Sequence, residues 1–365
     1  MIDLTERKVS ASEFFSLLFL SVLSTVFMYI SSPQIPIART EALLRPVVFI
    51  IISLVAGLPA YFIYINNVKN VRKGLVVKET KFLRIATSGF GAVYFVGALK
   101  TILRFDLFAS SELFPGNDMS IFLIAIVVVC GALSTVGLSA ICRGSVIFCF
   151  IVVGATFFVM VSLVDEIRLL NFTPLFFDGI GEFAKDSFLF TIQATEIGAV
   201  TLFLPRIKGE FKKHYISFVT LSGLAFTAIL AFVIGSLGSF ADTQLFPTYT
   251  AVTLANFGLL ERIDALETAI WILCVVVKIS FYILIVVQSL KKLFPKLSIR
   301  ILTVAVCTAL SVIPAVISNN IEAFGFISNN VLTFVLYVVG VVILPCVLLV
   351  YYRKVRPYEK IEEDI

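Results

Sequence analysis

The sequence predicts an all-α, polytopic membrane protein, and three observations predict it. Of its 365 residues 59% are hydrophobic and only 15% charged. The mean hydropathy is +1.03, far above that of a soluble domain. The apolar residues gather into runs long enough to cross about 30 Å of hydrocarbon as helices. Ten such runs lie at roughly 11–32, 46–66, 84–107, 119–140, 144–164, 187–205, 214–238, 264–290, 298–317 and 328–352. Residues 1–365 then form a single integral membrane domain surrounded by lipid, with 353–365 as a cytoplasmic tail.

Span 1 follows Arg7 and Lys8. A secretory leader opens the same way, but this run lacks a small-residue cleavage site and leads into further spans, so it reads as the first helix. Its middle, "SVLSTVFMY" (21–29), places Ser24 and Thr25 among apolar neighbours. A basic loop with Lys69, Arg72, Lys73, Lys78, Lys81 and Arg84 precedes span 3. There Tyr94, Gly97 and Thr101 share one helical face, with Lys100 beside it. Arg143 separates spans 4 and 5. Span 6 contains "TIQATEIGAV" (191–200), where Gln193 and Glu196 stand three apart, hence on one face, flanked by Thr195. Gly198 leaves room for another backbone, or for a break that exposes amide groups to a ligand carboxylate. Arg206, Lys208, Lys212 and Lys213 lead into span 7, which opens with the single His214. Span 8 aligns Glu267, Trp271, Lys278 and Tyr282 in one stripe. Lys291, Lys292, Lys296 and Arg300 separate it from span 9, and Arg353, Lys354, Arg356 and Lys360 follow span 10.

These residues are most of the 29 Lys and Arg, and they fall on alternate loops. The opposite loops carry acids instead, among them Asp106, Glu112, Asp118, Asp165, Glu166, Asp178 and Asp242. The positive-inside rule therefore puts both termini in the cytoplasm, and dropping any one span would destroy the alternation. The loops are short except for outside segments at 165–186 and 239–263, each with room for a short surface helix. Five spans being odd, the two halves of the chain insert with opposite orientation, the first repeat at about 11–164 and the second at about 187–352. Spans 1 and 6 open these halves and both are polar near their middles, a pattern of broken helices around a midplane ligand site.

Several chemistries find no support. The six Cys lie in or beside apolar runs without CxxC spacing, as packing residues do. One His cannot build a zinc site, and "GFGAVYFVG" (89–97) lacks GxGxxG spacing. With no Ser-His-Asp set and no paired carboxylates, neither an enzyme nor any cofactor, metal or nucleic acid is expected. A channel would need a filter motif or a ring of charges. What remains are three ionisable side chains deep in spans, Lys100, Glu196 and Lys278. Each costs about 2.5–3.5 kcal/mol at mid-helix, so each faces a partner or a cavity, as a structural ion pair or in ligand or proton handling. Glu196 and Lys278 lie at similar depth and are expected to neutralise each other across a central cavity, where an amino acid's ammonium and carboxylate would exchange with the pair. The candidate ligand-binding set is Ser24, Thr25, Tyr94, Lys100, Gln193, Thr195, Glu196, Gly198, Lys278 and Tyr282.

Particular stretches carry a resemblance. "NFTPLFFDGIG" (171–181) follows span 5, span 6 runs through "LFLP" (202–205) into "RIKGEFKK", and "GLSAICRG" (137–144) closes span 4. Most specific is "LLERIDALETAIWILCVVVKISFYILIVVQSLKKLF" (259–294), with Glu261-Arg262, then Trp271, then "SLKKLF". Together these resemble the B subunit of spore nutrient-germinant receptors, the GerAB-type branch of the amino acid/polyamine/organocation (APC) transporters. The resemblance implies a LeuT-like fold of two inverted five-helix repeats, with the ligand held by helices 1, 3, 6 and 8. It also implies a receptor in the spore's inner membrane that binds a nutrient, typically an amino acid, and works with an A subunit and a lipoprotein C subunit to trigger germination. Many relatives have a Gly-rich break in helix 1, where this chain reads "VLSTVFMYISSP", and a Glu one turn later in helix 6, where it has Ala199. An ion- or proton-coupled amino-acid permease would share the fold, and a scaffold subunit without a ligand would tolerate neutral replacements in the cavity.

Overall fold

The computed structural model describes residues 8–29, 36–37, 40–71, 75–77, 80–115, 120–173, 179–254, 263–318, 320–354 and 358–360. Arg7, Arg72, Lys73, Lys78, Asp118, the 174–178 stretch with Asp178, the Glu261-Arg262 pair and Arg356 lie outside the described residues.

Among the described residues each of the ten apolar runs is largely helical. Helix α1 (Ala11–Tyr29) starts at a reciprocal cap, in which the Ser10 amide donates to Glu13 and the Glu13 amide to Ser10 Oγ. The second run is a 3₁₀ turn, Thr40–Leu44, continued by α2 (Arg45–Ala56) and α3 (Leu58–Val71), joined at Gly57. A Cβ at Gly57 would stand 2.3 Å from the Tyr215 ring, whose hydroxyl donates to Ser53 O at 2.5 Å, so only glycine admits this approach. Then come α4 (Lys81–Phe108), α5 (Ser120–Val136) and α6 (Leu138–Ser162), the last two separated at Gly137 with its positive φ of 96°.

The sixth run is broken, with α7 (Ile180–Thr191), a 3₁₀ turn at Thr195–Gly198, α8 (Ala199–Phe203) and a further turn to Arg206. Beyond it lie α9 (Phe211–Leu237), α10 (Pro247–Thr253), α11 (Ile263–Leu293), α12 (Ile299–Ser318) and α13 (Ile321–Ser328). The last run is α14 (Asn330–Tyr337), a π-helical stretch Val338–Ile343 and α15 (Leu344–Lys354).

Among the described residues eight helical stretches are long and apolar enough to cross a membrane. The pair 180–191 and 195–206, bent by 56°, adds a ninth if counted as one span, and α5 is a shorter apolar helix. The protein is all-α and multi-pass. Two small sheets accompany the helices: β1 (Val9–Ser10) pairs in parallel with β3 (Ile207–Lys208), and β2 (Leu75–Val77) antiparallel with β4 (Tyr358–Lys360).

Burial sorts the helices into a core and a shell. Helix α11 packs against α1, α4, α5, α6, α10 and α12, and its apolar window is 83% buried against 17% for α6. The shell turns large apolar side chains outward, among them Ile121, Ile147, Phe150 and Phe157. Such a surface suits lipid rather than water.

Four expectations need correction. Arg143 does not separate two helices but lies inside α6, because the turn falls earlier, at Gly137, where a positive φ is available. Helix α1 is unbroken over Ala11–Tyr29 despite its polar middle. It carries neither Gly nor Pro there, so nothing in the backbone interrupts the ladder, and its hydroxyls are left to face the neighbouring helices. Helix α10 is tucked in rather than lying on the surface, with Pro247, Thr248, Tyr249, Ala251 and Val252 buried against α9 and α11. The segment at 165–186 holds, among its described residues, 3₁₀ turns at Val164–Glu166 and Leu169–Phe172 before α7 begins at Ile180, earlier than the apolar run suggests.

Candidate functional site

The break in the sixth run is where α1, α4 and α11 converge. Ala194 leaves the helical region (φ −88°, ψ 68°), and the carbonyl of Thr195, just past the break, accepts a hydrogen bond from Tyr94 of α4 at 2.9 Å. An interrupted helix in hydrocarbon needs such substitute partners for its backbone. The break separates residues that helical spacing had put on one face. Gln193 falls inside it, facing a small cavity with Thr25, Val26, Phe190, Ala194 and Phe226, while Glu196, in the following turn, points to α1 and α11. That cavity, of about 10 Å³, has room for roughly one water molecule.

Glu196 and Lys278 form a buried ion pair, Nζ to Oε1 at 2.6 Å, both side chains almost wholly shielded. Two ions removed from water repel the fold unless neighbours replace their solvation. Thr25 of α1 supplies this on both sides: its hydroxyl accepts from Lys278 at 2.5 Å and donates to Glu196 Oε1 at 3.0 Å. Ser21 donates to the same oxygen at 3.5 Å. Glu196 Oε2 is buried with no hydrogen-bond partner among the described residues.

Aromatic rings complete the setting. The ammonium of Lys278 stands 5.5 Å from the Tyr282 ring centroid, within cation–π range. The Tyr282 ring meets Tyr94 edge to face at 5.0 Å, and its hydroxyl lies 3.3 Å from Thr195 Oγ1. Gly97 makes space for that ring, since a Cβ there would approach it to 2.9 Å. Gly198 resolves in favour of close backbone approach: a Cβ would lie 2.2 Å from the carbonyl oxygen of Gly340, in the π-helical stretch.

Of the ten candidates, Thr25, Tyr94, Thr195, Glu196, Gly198, Lys278 and Tyr282 form one connected cluster, and Gln193 borders it through the small cavity. Lys100 is drawn elsewhere, its ammonium hydrogen-bonded to Thr333 of α14. Ser24 is buried with its hydroxyl directed at Met28 Sδ, 4.0 Å away, rather than at the pair. Sequence reasoning missed Ser21, one turn before Thr25 and therefore on its face. It also missed Gly340, which no local signal marks, and the buried ion pair of Arg45 with Asp186 (3.0 Å) between α2 and α7.

Rings also close the cluster along the helix axes. Toward α10, Trp271 stands about 10 Å along α11 from Lys278, in contact with Phe108 (centroids 3.6 Å) and Phe246 (5.4 Å). Toward β1 and β3, Phe14, Phe203 and Phe281 pack together at 5.6–6.3 Å.

Residues 8–323 match the spore permease family, described as spore germination proteins. The chain belongs to that family. In this spore germination protein the match runs from β1 into α13 and takes in every clustered side chain except those of the last span. No curated protein matches the chain. Among the described residues of this spore germination protein, no group of three or more His, Cys, Asp or Glu is placed to hold a metal.

Proposed function

We propose that this spore germination protein is the B subunit of a nutrient-germinant receptor. It binds a small nutrient, such as an amino acid, where α1, α4, α8 and α11 meet. Binding passes a conformational change to an A subunit and a lipoprotein C subunit. The observation that carries the reading is the Glu196–Lys278 pair beside a broken span. A buried carboxylate and ammonium in contact are a neutral surrogate for a zwitterion, and a ligand's own ammonium and carboxylate can take over each partner without leaving a net charge in the membrane. Ser21 and Thr25, Tyr94, Thr195 and Tyr282 supply neutral donors and acceptors around it, while Gln193 lies at the rim. The same proposal counts α5 and the bent pair as full spans. It thereby takes ten helices in two inverted LeuT-like repeats (about 11–164 and 187–352), with both termini cytoplasmic and the protein in the spore inner membrane.

The family's permease character favours a second reading, an ion- or proton-coupled amino-acid permease using the same pair. Purified protein in liposomes separates the two: a receptor binds labelled amino acid without accumulating it, and a permease accumulates it with a proton or ion gradient. Glu196→Gln and Lys278→Met are each expected to weaken binding at least tenfold, the scale of a lost charged contact. Unchanged binding in both variants would rule this site out. Germination of deletion-strain spores over a nutrient panel then names the ligand.

A further inference from the structure

A groove of about 520 Å³ runs down the outside of the bundle, away from the ion pair. Its floor is α1, through Phe19 and Leu23, and its walls are α6, through Val153 and Met160, and α9, through Leu221 and Ala225. Helix α1 packs closely against both walls, and the space between α6 and α9 is what forms the groove. From His214 to Ile229 it is about 22 Å long at helical rise, most of the depth of a bilayer's hydrocarbon core. The groove is long enough, and apolar enough along its walls, to take an extended hydrocarbon chain.

One end of the groove is polar, lined by Ser12, Ser16, His214 and Ser217. Around that end lie the exposed lysines Lys8, Lys208, Lys212 and Lys213, brought together by the β1–β3 pairing and the start of α9. Two carboxylates share the region, Glu13, held in the α1 cap, and Glu210, so the balance is cationic. The first-turn amides of α9 add to the positive potential.

We propose that the groove binds one anionic phospholipid, an acyl chain lying along α1 between α6 and α9 and the headgroup phosphate at the lysine rim. The side chains supply both halves of the recognition: apolar walls at hydrocarbon depth and cations at headgroup depth. Because its floor is the helix that brings Ser21 and Thr25 to Glu196, the lipid braces one side of the candidate site. The assignment depends on the groove alone and stands whether or not a nutrient binds at the ion pair.

Native mass spectrometry of the detergent-purified protein tests it, with phosphatidylglycerol and phosphatidylcholine of identical chains as probes. The expected result is retention of one phosphatidylglycerol at concentrations about tenfold below those needed for phosphatidylcholine. Ala225→Phe, which fills the groove, is expected to abolish retention of both. The surface double variant Lys212→Gln/Lys213→Gln, which leaves the packing untouched, is expected to bring the two lipids to near parity. Equal retention of the two lipids by the unaltered protein overturns the proposal, as does a preference that survives the lysine replacements. So does a photo-crosslinker at Leu221 that captures a protein helix instead of lipid.

Discussion

Glu196 is held through one oxygen. Lys278, Thr25 and Ser21 all address Oε1, and Oε2 has no such neighbours among the described residues. Removing either charge strands the other in a buried site, a loss of about 3–5 kcal/mol, whereas removing both eliminates the uncompensated ion. Glu196→Gln and Lys278→Met are therefore each expected to lower unfolding stability in detergent by that amount, and the double variant to lose less than either. A double variant whose loss equals the sum of the two would show that the charges do not depend on each other. The identity of these residues was legible because a carboxylate and an ammonium in apolar runs have few other reasons to be there. Ser24 was chosen and Ser21 passed over because a hydroxyl's helical phase has no meaning until the facing helix is known. Lys100 looked equivalent to Lys278 for the same reason, and only the fold shows that it turns to Thr333.

At the scale of elements, the elbow of the sixth span was readable only in part. Residues 192–194 include neither Gly nor Pro, so nothing local announces a break there; it is held by Tyr94, about a hundred residues away in sequence. Gly198 did signal close approach, though its partner, Gly340, sits in a distant π-helical stretch. The two glycines should respond unequally to the same added methyl group. Gly198→Ala drives Cβ to 2.2 Å from a backbone oxygen, which can move only with its helix, and is expected to cost about 3 kcal/mol. Gly340→Ala meets the Val93 side chain at 2.9 Å, which can yield, and is expected to cost about 1 kcal/mol. Thermal unfolding of the two variants decides, and equal losses would contradict the asymmetry.

For the whole molecule, hydropathy located the helices closely, as for the run at 264–290, which folds as Ile263–Leu293. The bilayer's thickness sets helix length more strictly than water does, and an apolar run has little else to become. The exceptions are α6, which starts at Leu138 and takes in Arg143, and α7, whose first turns carry Glu182, Lys185 and Asp186 and so read as loop. Charge asymmetry predicts the orientation, which labelling can measure. In a cysteine-free background, Asp165→Cys is expected to react with a membrane-impermeant maleimide in intact cells, and Lys296→Cys only after permeabilisation. Both positions are exposed on the protein. The reverse pattern would invert the topology and move the lysine rim of the groove to the outer leaflet.

The short strand pair at the foot of α1 gives this arrangement a mechanical meaning. Val9 is in register with Ile207, so α1 and the 195–206 segment are joined at their ends as well as where Ser21 and Thr25 meet Glu196. Held at two places, neither segment can shift far without the other. The 56° elbow separates them from α7, which the Arg45–Asp186 bridge ties to α2. A disulfide between Val9→Cys and Ile207→Cys is then expected to leave germination unaffected, because it joins parts already held side by side. A locked strand pair that silenced the spore would place the hinge at the foot of α1 instead.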